Sequence, residues 1–327
     1  MKRLIVFALI LALSFTFLAS CGKSEEEYTL YLGVKATVKG TSVSETVAAV
    51  VTDGDGKIVQ CRIDVIDFSA KVDNRGDAIV TKPITKREQG DDYGMAEWAP
   101  AGEWYKQAEH FEKYVVGMTL EDVKSIGLVA GKGEDADLLA GCTIAVSDFV
   151  DAVTKALEGN NKYTFSANGD ITSAVSAIAS VSAAVATDES GNEDPTKLTF
   201  SFQTDFGAVA SAKGRVAGAL VDSIEIKVSC DVVDSVDNEN NPTKALSVTS
   251  TSNRGTKFEL GDNYGMAKYD PDNVKGEWYV QATELAKASI GYETKKLSVF
   301  LEDNVAGCTM YVDGYKAALI KAAETVR

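Results

Sequence analysis

Asp137-Leu138-Leu139-Ala140-Gly141-Cys142-Thr143 returns near the end of the chain as Asp303-Asn304-Val305-Ala306-Gly307-Cys308-Thr309. Two more motifs precede it, in the same order each time. Thr85-Lys86-x-Glu88-x-Gly90-Asp91-x-Tyr93-Gly94-Met95 is echoed by Thr256-Lys257-x-Glu259-x-Gly261-Asp262-x-Tyr264-Gly265-Met266, and Glu103-Trp104-Tyr105-x-Gln107-Ala108 by Glu277-Trp278-Tyr279-x-Gln281-Ala282. The interval between copies is nearly the same for all three motifs and drifts only by short insertions and deletions. Three ordered matches predict a tandem duplication of two homologous domains, residues 28–158 and 159–327.

The N-terminus reads as a targeting segment. Lys2 and Arg3 form a basic region, Leu4 to Leu18 an apolar one, and Leu18-Ala19-Ser20-Cys21 resembles a bacterial lipobox. The resemblance implies cleavage after residue 20, a diacylglyceryl group on Cys21 and a solvated tether over residues 21–27. An uncleaved membrane helix is the alternative, but the apolar run is short and ends in small residues. Two or more acyl chains hold a protein stably on a bilayer, so the expected location is the extracytoplasmic face of the cell membrane.

Losing two of 33 basic residues against 48 acidic ones takes the formal charge from −15 to about −17. No basic run follows the signal, which excludes nucleic-acid binding. The single histidine, His110, excludes a Ser-His-Asp or Cys-His apparatus present in both halves, and His-based zinc or haem sites; it reads as a surface residue. Asp53-Gly54-Asp55-Gly56 lacks the glutamate of a calcium loop and reads as a turn. No metal site is expected.

Hydrophobic periodicity predicts an α+β fold, each half a small antiparallel sheet covered by helices. Residues 28–36 read as a strand, and 47–51 with 58–66 as a hairpin; 198–202, 216–221 and 224–232 read as the second copy. Trp104, Ala108, Phe111 and Val115 share a helical face, as do Trp278, Ala282 and Leu285. Ser147 and Asp313 read as N-caps of a final helix in each half. Residues 166–196 read as an Ala/Ser-rich and acidic insertion, whose Ala/Ser part fits a strand or a helix equally. Each half also carries one cysteine in a β-like run and one in its Ala-Gly-Cys-Thr motif. Outside the cytoplasm this favours the disulfides Cys61–Cys142 and Cys230–Cys308; four buried thiols are the alternative.

The hairpin, the Glu/Gly-rich segment and Asp-x-x-Ala-Gly-Cys-Thr before a helix resemble the FMN-binding domain. That domain occurs in flavoprotein subunits of Rnf and sodium-translocating NADH:quinone oxidoreductase complexes, and in tandem in lipoproteins of extracellular electron transfer. The resemblance implies covalent FMN esterified to Thr143 and Thr309, with Asp137 and Asp303 opening the motif. Gly141 and Gly307 would give the phosphate close backbone approach, and Glu88 and Glu259 would match the family's Glu/Gly-rich segment. Trp104 and Trp278 would stack on the isoalloxazine or else pack in the core. Ala140, Ala306, Cys142 and Cys308 depart from the family's Ser/Thr and Ala. The chain therefore reads as an electron carrier served by a membrane donor such as a quinone-linked dehydrogenase, or as a non-redox lipoprotein that binds a ligand or partner. A stand-alone enzyme fits less well, and a purely structural surface lipoprotein is the third reading.

Overall fold

The computed structural model describes residues 25–187, 190–269, 271, 275–300, 305 and 308–326. The signal segment, Cys21, Asp303 and Gly307 lie outside the described residues. The fold is α+β, with two four-stranded antiparallel sheets packed face to face and helices on both outer surfaces.

In the first sheet β1 (Glu26–Lys39), β2 (Ser42–Asp53) and β3 (Ile58–Ser69) form a meander, and β4 (Lys162–Ala167) joins beyond β1. The β2–β3 turn closes where Asp53 Oδ1 accepts Asp55 N at 3.0 Å and Lys57 N at 2.9 Å. In the second sheet β5 (Ile171–Thr187), β6 (Glu193–Ala212), β7 (Arg215–Val236) and β8 (Pro242–Asn253) follow in chain order. The four main helices are α1 (Trp104–Tyr114), α2 (Ser147–Glu158), α3 (Trp278–Ala288) and α4 (Asp313–Thr325). Among the described residues no helix is long and apolar enough to cross a membrane.

Alternation decides which face each strand residue serves. Leu30, Leu32 and Val34 of β1 and Val47, Ala49 and Val51 of β2 meet Phe200, Phe202 and Phe206 of β6 in one inter-sheet core. The opposite faces pack under helices. In the first half Ala48, Val50 and Ile63 contact the layer of Trp104, Phe111 and Phe149; in the second Val209, Ala219 and Val221 contact Trp278, Leu285 and Leu319. Gly33 and Gly207 mark where helix backbone touches strand. A Cβ on Gly33 would lie 2.3 Å from Ala156 N, and one on Gly207 would lie 2.6 Å from the Ala318 carbonyl carbon.

Several expectations need correcting. Residues 216–221 and 224–232 are one strand, β7, and the second hairpin is β6–β7, turning at Lys213 and Gly214 with φ of 53° and 73°. Residues 166–196 are largely strand, the Ala/Ser part included. They supply the end of β4, all of β5 and the start of β6, and β4 pairs with β1 although it lies past residue 158. The helices begin at Ser147 and Asp313, with Val146 and Val312 as their N-caps and no side-chain cap bond. All four described cysteines are free. Cys230 faces the inter-sheet core while Cys308 packs in the helical layer of the second half, so a sheet separates that expected pair. Cys61 and Cys142 do share one cluster, as thiols.

Reciprocal contacts join the halves. Lys155 on α2 reaches Glu259 at 2.7 Å, and Lys321 on α4 reaches Glu88 at 2.7 Å. Lys155 and Lys321 are equivalent in the register of the two Ala-Gly-Cys-Thr motifs, and Glu88 and Glu259 in that of the two Thr-Lys motifs. Each half therefore grips the other by the same two positions. Such reciprocity is the geometry of an isologous dimer interface.

The inter-sheet core also buries Glu45 completely. Neither carboxyl oxygen has a hydrogen bond of ordinary geometry, and the neighbouring Thr204 hydroxyl only partly opposes the effect of burial. Burial raises the Glu45 pKa from 4.5 to about 8. Because the folded value is the higher one, the stability Glu45 contributes is complete below about 4.5 and is lost as pH rises through about 8. We expect Glu45→Gln to remove a slope of roughly 1.4 kcal/mol per pH unit across that window. Urea titrations at pH 5 and pH 8 check this. If wild type and variant lose the same stability between the two pH values, Glu45 is not buried as an acid.

Candidate functional site

The repeated motifs build the same scaffold in each half. Thr85 N-caps a short turn in a capping box, Thr85 N donating to Glu88 at 2.8 Å and Glu88 N to Thr85 Oγ1 at 3.3 Å. Thr256 and Glu259 repeat it at 2.9 and 3.2 Å. The box docks on a buried aspartate. Asp64 accepts Arg87 N at 3.2 Å and Asp222 accepts Phe258 N at 3.1 Å. Burial raises these carboxyls to about 6 and about 7, against opposing hydrogen bonds led by Thr85 and Thr256. Matching Asp64 to Asp222 aligns β3 with β7. That register sets Cys61 against Ala219, so the apparent symmetry of Cys61 and Cys230 is not structural.

The second motif latches the first and third. The Glu103 carboxylate takes the backbone N–H groups of Met95 and Ala96 at 3.0 and 2.8 Å, and Glu277 those of Met266 and Ala267 at 2.9 and 3.1 Å. Tyr105 donates to Asp91 and Tyr279 to Asp262, both at 3.1 Å. Buried Gln107 accepts Thr143 N and Oγ1 at 2.9 and 3.2 Å. Buried Gln281 accepts Thr309 N and Oγ1 at 2.6 and 3.1 Å, and Met310 N at 3.2 Å. These glutamates and glutamines were not singled out from sequence; their place in a motif shared by both halves was the available signal.

The residues expected to hold FMN are therefore distributed as follows. Glu88 and Glu259 are committed to capping boxes and inter-half ion pairs. Trp104 and Trp278 are 3% and 2% exposed and belong to the helical cores. Asp137 is exposed, and its carbonyl oxygen meets His110 Nε2 at 2.7 Å. The His110 ring covers Gly141, where an added Cβ would lie 2.3 Å from Nδ1. His110 is thus half-buried packing, and the backbone beside Thr143 offers no open cradle to a phosphate. Burial lifts the Cys142 thiol to about 11. Among the described residues no group of three or more His, Cys, Asp or Glu is placed to hold a metal ion.

Thr309 is placed differently. It is exposed on the rim of a cleft of about 710 Å³ in the second half. On the floor the Lys257 ammonium lies 5.4, 5.6 and 5.8 Å from the ring centroids of Tyr264, Trp278 and Tyr315. It donates to Tyr315 Oη at 3.0 Å, and Trp278 Nε1 donates to the same oxygen at 3.2 Å. Asp205 lies beside them and accepts Gln203 Nε2 at 3.1 Å. Burial opposes the charge on Lys257, yet Tyr315, Tyr264 and Asp205 hold its pKa above the ordinary lysine value. Burial raises Asp205 in turn, against opposing contacts led by Ser223 and Lys257. Tyr269 and Tyr311, 93% and 96% exposed, stand at the mouth.

The first half keeps the floor and lacks the walls. Lys86 lies 5.4 and 5.7 Å from the rings of Tyr93 and Trp104, and its carboxylate partner is Asp67 on β3 at 3.0 Å. At the equivalent positions Phe149 replaces Tyr315, Ala145 replaces Tyr311 and Thr46 replaces Asp205. A second opening of about 590 Å³ lies at one end of the sandwich, near Lys71, Ile79 and Val181, and takes no residue from the repeated motifs.

A Cβ on Gly314 would lie 1.9 Å from Asp205 Oδ2, so the absence of a side chain seats this carboxylate against the start of α4. We expect Gly314→Ala to destabilise the chain by about 1–3 kcal/mol through overpacking. Adding Asp205→Ala should cost less than the sum of the two single changes. Strict additivity in urea titrations of the three variants would count against the contact. Comparison of the chain with protein-family models, with curated proteins and with solved structures returns no match.

Proposed function

We propose that this chain is a membrane-tethered, extracytoplasmic binding lipoprotein, built by tandem duplication of one domain, that holds a small molecule noncovalently in the cleft of its second half. One observation carries the reading. The second half departs from the first where Asp205, Tyr311 and Tyr315 furnish a cleft around Lys257, while the latch and capping residues are kept in both. A cleft of this size, with a few polar groups converging on an aromatic floor, has the anatomy of a small-ligand site. Lipidation at Cys21 would place it at the outer face of the membrane. The motifs that recur serve folding in both halves, and the reciprocal ion pairs support descent of the halves from one self-associating domain.

Covalent flavin is the second reading, favoured by the Thr309 hydroxyl on the rim of the same cleft. FMN there would supply one- and two-electron redox chemistry, and a quinone-linked membrane dehydrogenase would be the matching donor. Against it stand Asp205 and Asp313 in the lining, where a phosphate would have to sit.

Protein purified from its native membrane decides between the two by intact mass, visible spectrum and peptide mapping. We expect a lipid adduct on Cys21, no flavin absorbance, and unmodified Thr143 and Thr309. A flavin spectrum with added FMN mass at Thr309 would overturn noncovalent binding in favour of electron transfer. An unlipidated Cys21 would remove the tether.

A further inference from the structure

The geometry points to a neutral saccharide as the occupant of the second-half cleft, with sugar rings against Tyr269 and Tyr311 and hydroxyls directed to Lys257, Asp205 and Gln203. This inference rests on reading the cleft as a binding site and specifies what it takes.

The lining charges exclude most other ligand classes. An anion would be drawn to the N-terminus of α4, a helix of 13 residues, and to Lys257. The Asp205 carboxylate already lies against that first turn, beside Gly314 and close to Lys257, and Asp313 adds a second negative charge to the lining. A cation would be drawn to the rings of Tyr264, Trp278 and Tyr315, but Lys257 holds that position and would repel a second positive charge. A wholly apolar molecule would strip water from Lys257, Asp205 and Gln203 without replacing its hydrogen bonds.

A polyhydroxylated neutral molecule meets every part of the cleft. Sugar hydroxyls both donate and accept, which suits a site that offers a donor in Lys257 and acceptors in Asp205 and the Gln203 amide oxygen, the Gln203 Nε2 already donating to Asp205 and Ser223. The C–H faces of a pyranose ring are apolar and flat enough to lie on a phenol ring. Two tyrosines at the mouth, almost wholly in water, are large amphipathic surfaces of the kind used to grip such ligands. They are also dispensable to the fold, since neither is buried. Thr309 adds a hydroxyl on the rim, although its proton is already given to Gln281.

The test is calorimetric titration of the detergent-solubilised full-length lipoprotein with three panels. The first holds neutral oligosaccharides (cellotriose, maltotriose, mannotriose and tri-N-acetylchitotriose), the second glucuronate and glucosamine, and the third free amino acids. We expect at least one neutral saccharide to bind at one site per chain. Tyr269→Ala and Tyr311→Ala should each weaken it about tenfold, the loss of one stacking contact, while Trp98→Ala, its exposed counterpart in the first half, should leave it unchanged. Tighter binding of glucuronate or glucosamine than of every neutral sugar would overturn the proposal, as would saccharide binding indifferent to both tyrosine variants. Amino-acid binding that depends on Tyr311, with no saccharide binding, would overturn the saccharide and leave the cleft as a binding site. Silence in all three panels would overturn both.

Discussion

The central strands of both sheets bury both of their faces, and the rest of the architecture follows from that. In β2 the run Val47-Ala48-Ala49-Val50-Val51 is buried throughout, odd positions against the opposite sheet and even ones under helices. A continuous apolar run of this kind marks a strand enclosed on two sides. Separating the sheets would expose Phe200, Phe202 and Phe206 together with Leu30 and Leu32, each stabilising by roughly 1.5–3 kcal/mol when buried. The halves are therefore one folding body. The reciprocal pairs Lys155–Glu259 and Lys321–Glu88 are partly exposed, and pairs of that kind contribute up to about 1 kcal/mol each. They fix how the halves sit against each other, while the apolar layer supplies the cohesion.

The order of motifs and the α+β class were legible in the sequence because both rest on local pattern. What the motifs do was not. Glutamates in a repeated motif look like ligand-holding groups. Here they satisfy backbone N–H groups that irregular loops would otherwise bury without partners. β7 read as two strands because Asp222-Ser223 interrupts its apolar run. The interruption is the docking point of a capping box, mirrored at Asp64 in β3. The cysteine symmetry failed for a related reason. Cys61 and Cys230 each lie in a β-like run, but strand register gives them opposite faces. The cleft was invisible because Asp205 and Gln203 come from the helix-facing side of β6, far in sequence from every motif.

The edge of β3 offers a comparison between charge and packing within one chain. Ile63 N donates to Glu112 at 2.6 Å, its carbonyl accepts Arg87 Nε at 2.6 Å, and Glu112 also pairs with Arg62 and Arg87. At the equivalent positions the second half has Leu220, Phe258 and Ala286. There the Val221 carbonyl is met instead by Asn161 Nδ2, at 3.1 Å. Buried ion pairs are often replaceable by apolar groups of similar volume, whereas removing one partner is costly. The chain displays both solutions, and in each the exposed strand edge is covered.

Lys86 and Lys257 carry the same lesson to the site. Each ammonium lies over a tyrosine and a tryptophan, which compensates in part for lost water. In the first half its carboxylate partner, Asp67, is half-exposed on the far strand of the sheet, and the ring below is Phe149, which offers no hydrogen bond. In the second half the nearby carboxylate is half-buried Asp205, and the ring is Tyr315, whose hydroxyl accepts from both Lys257 and Trp278. One added hydroxyl and one relocated carboxylate thus draw polar groups inward toward the helix start. Gly314 must then lack a side chain to admit Asp205, and the space above the floor stays open. The second half thus gains a cleft that the first lacks, while the capping-box and latch residues are the same in both.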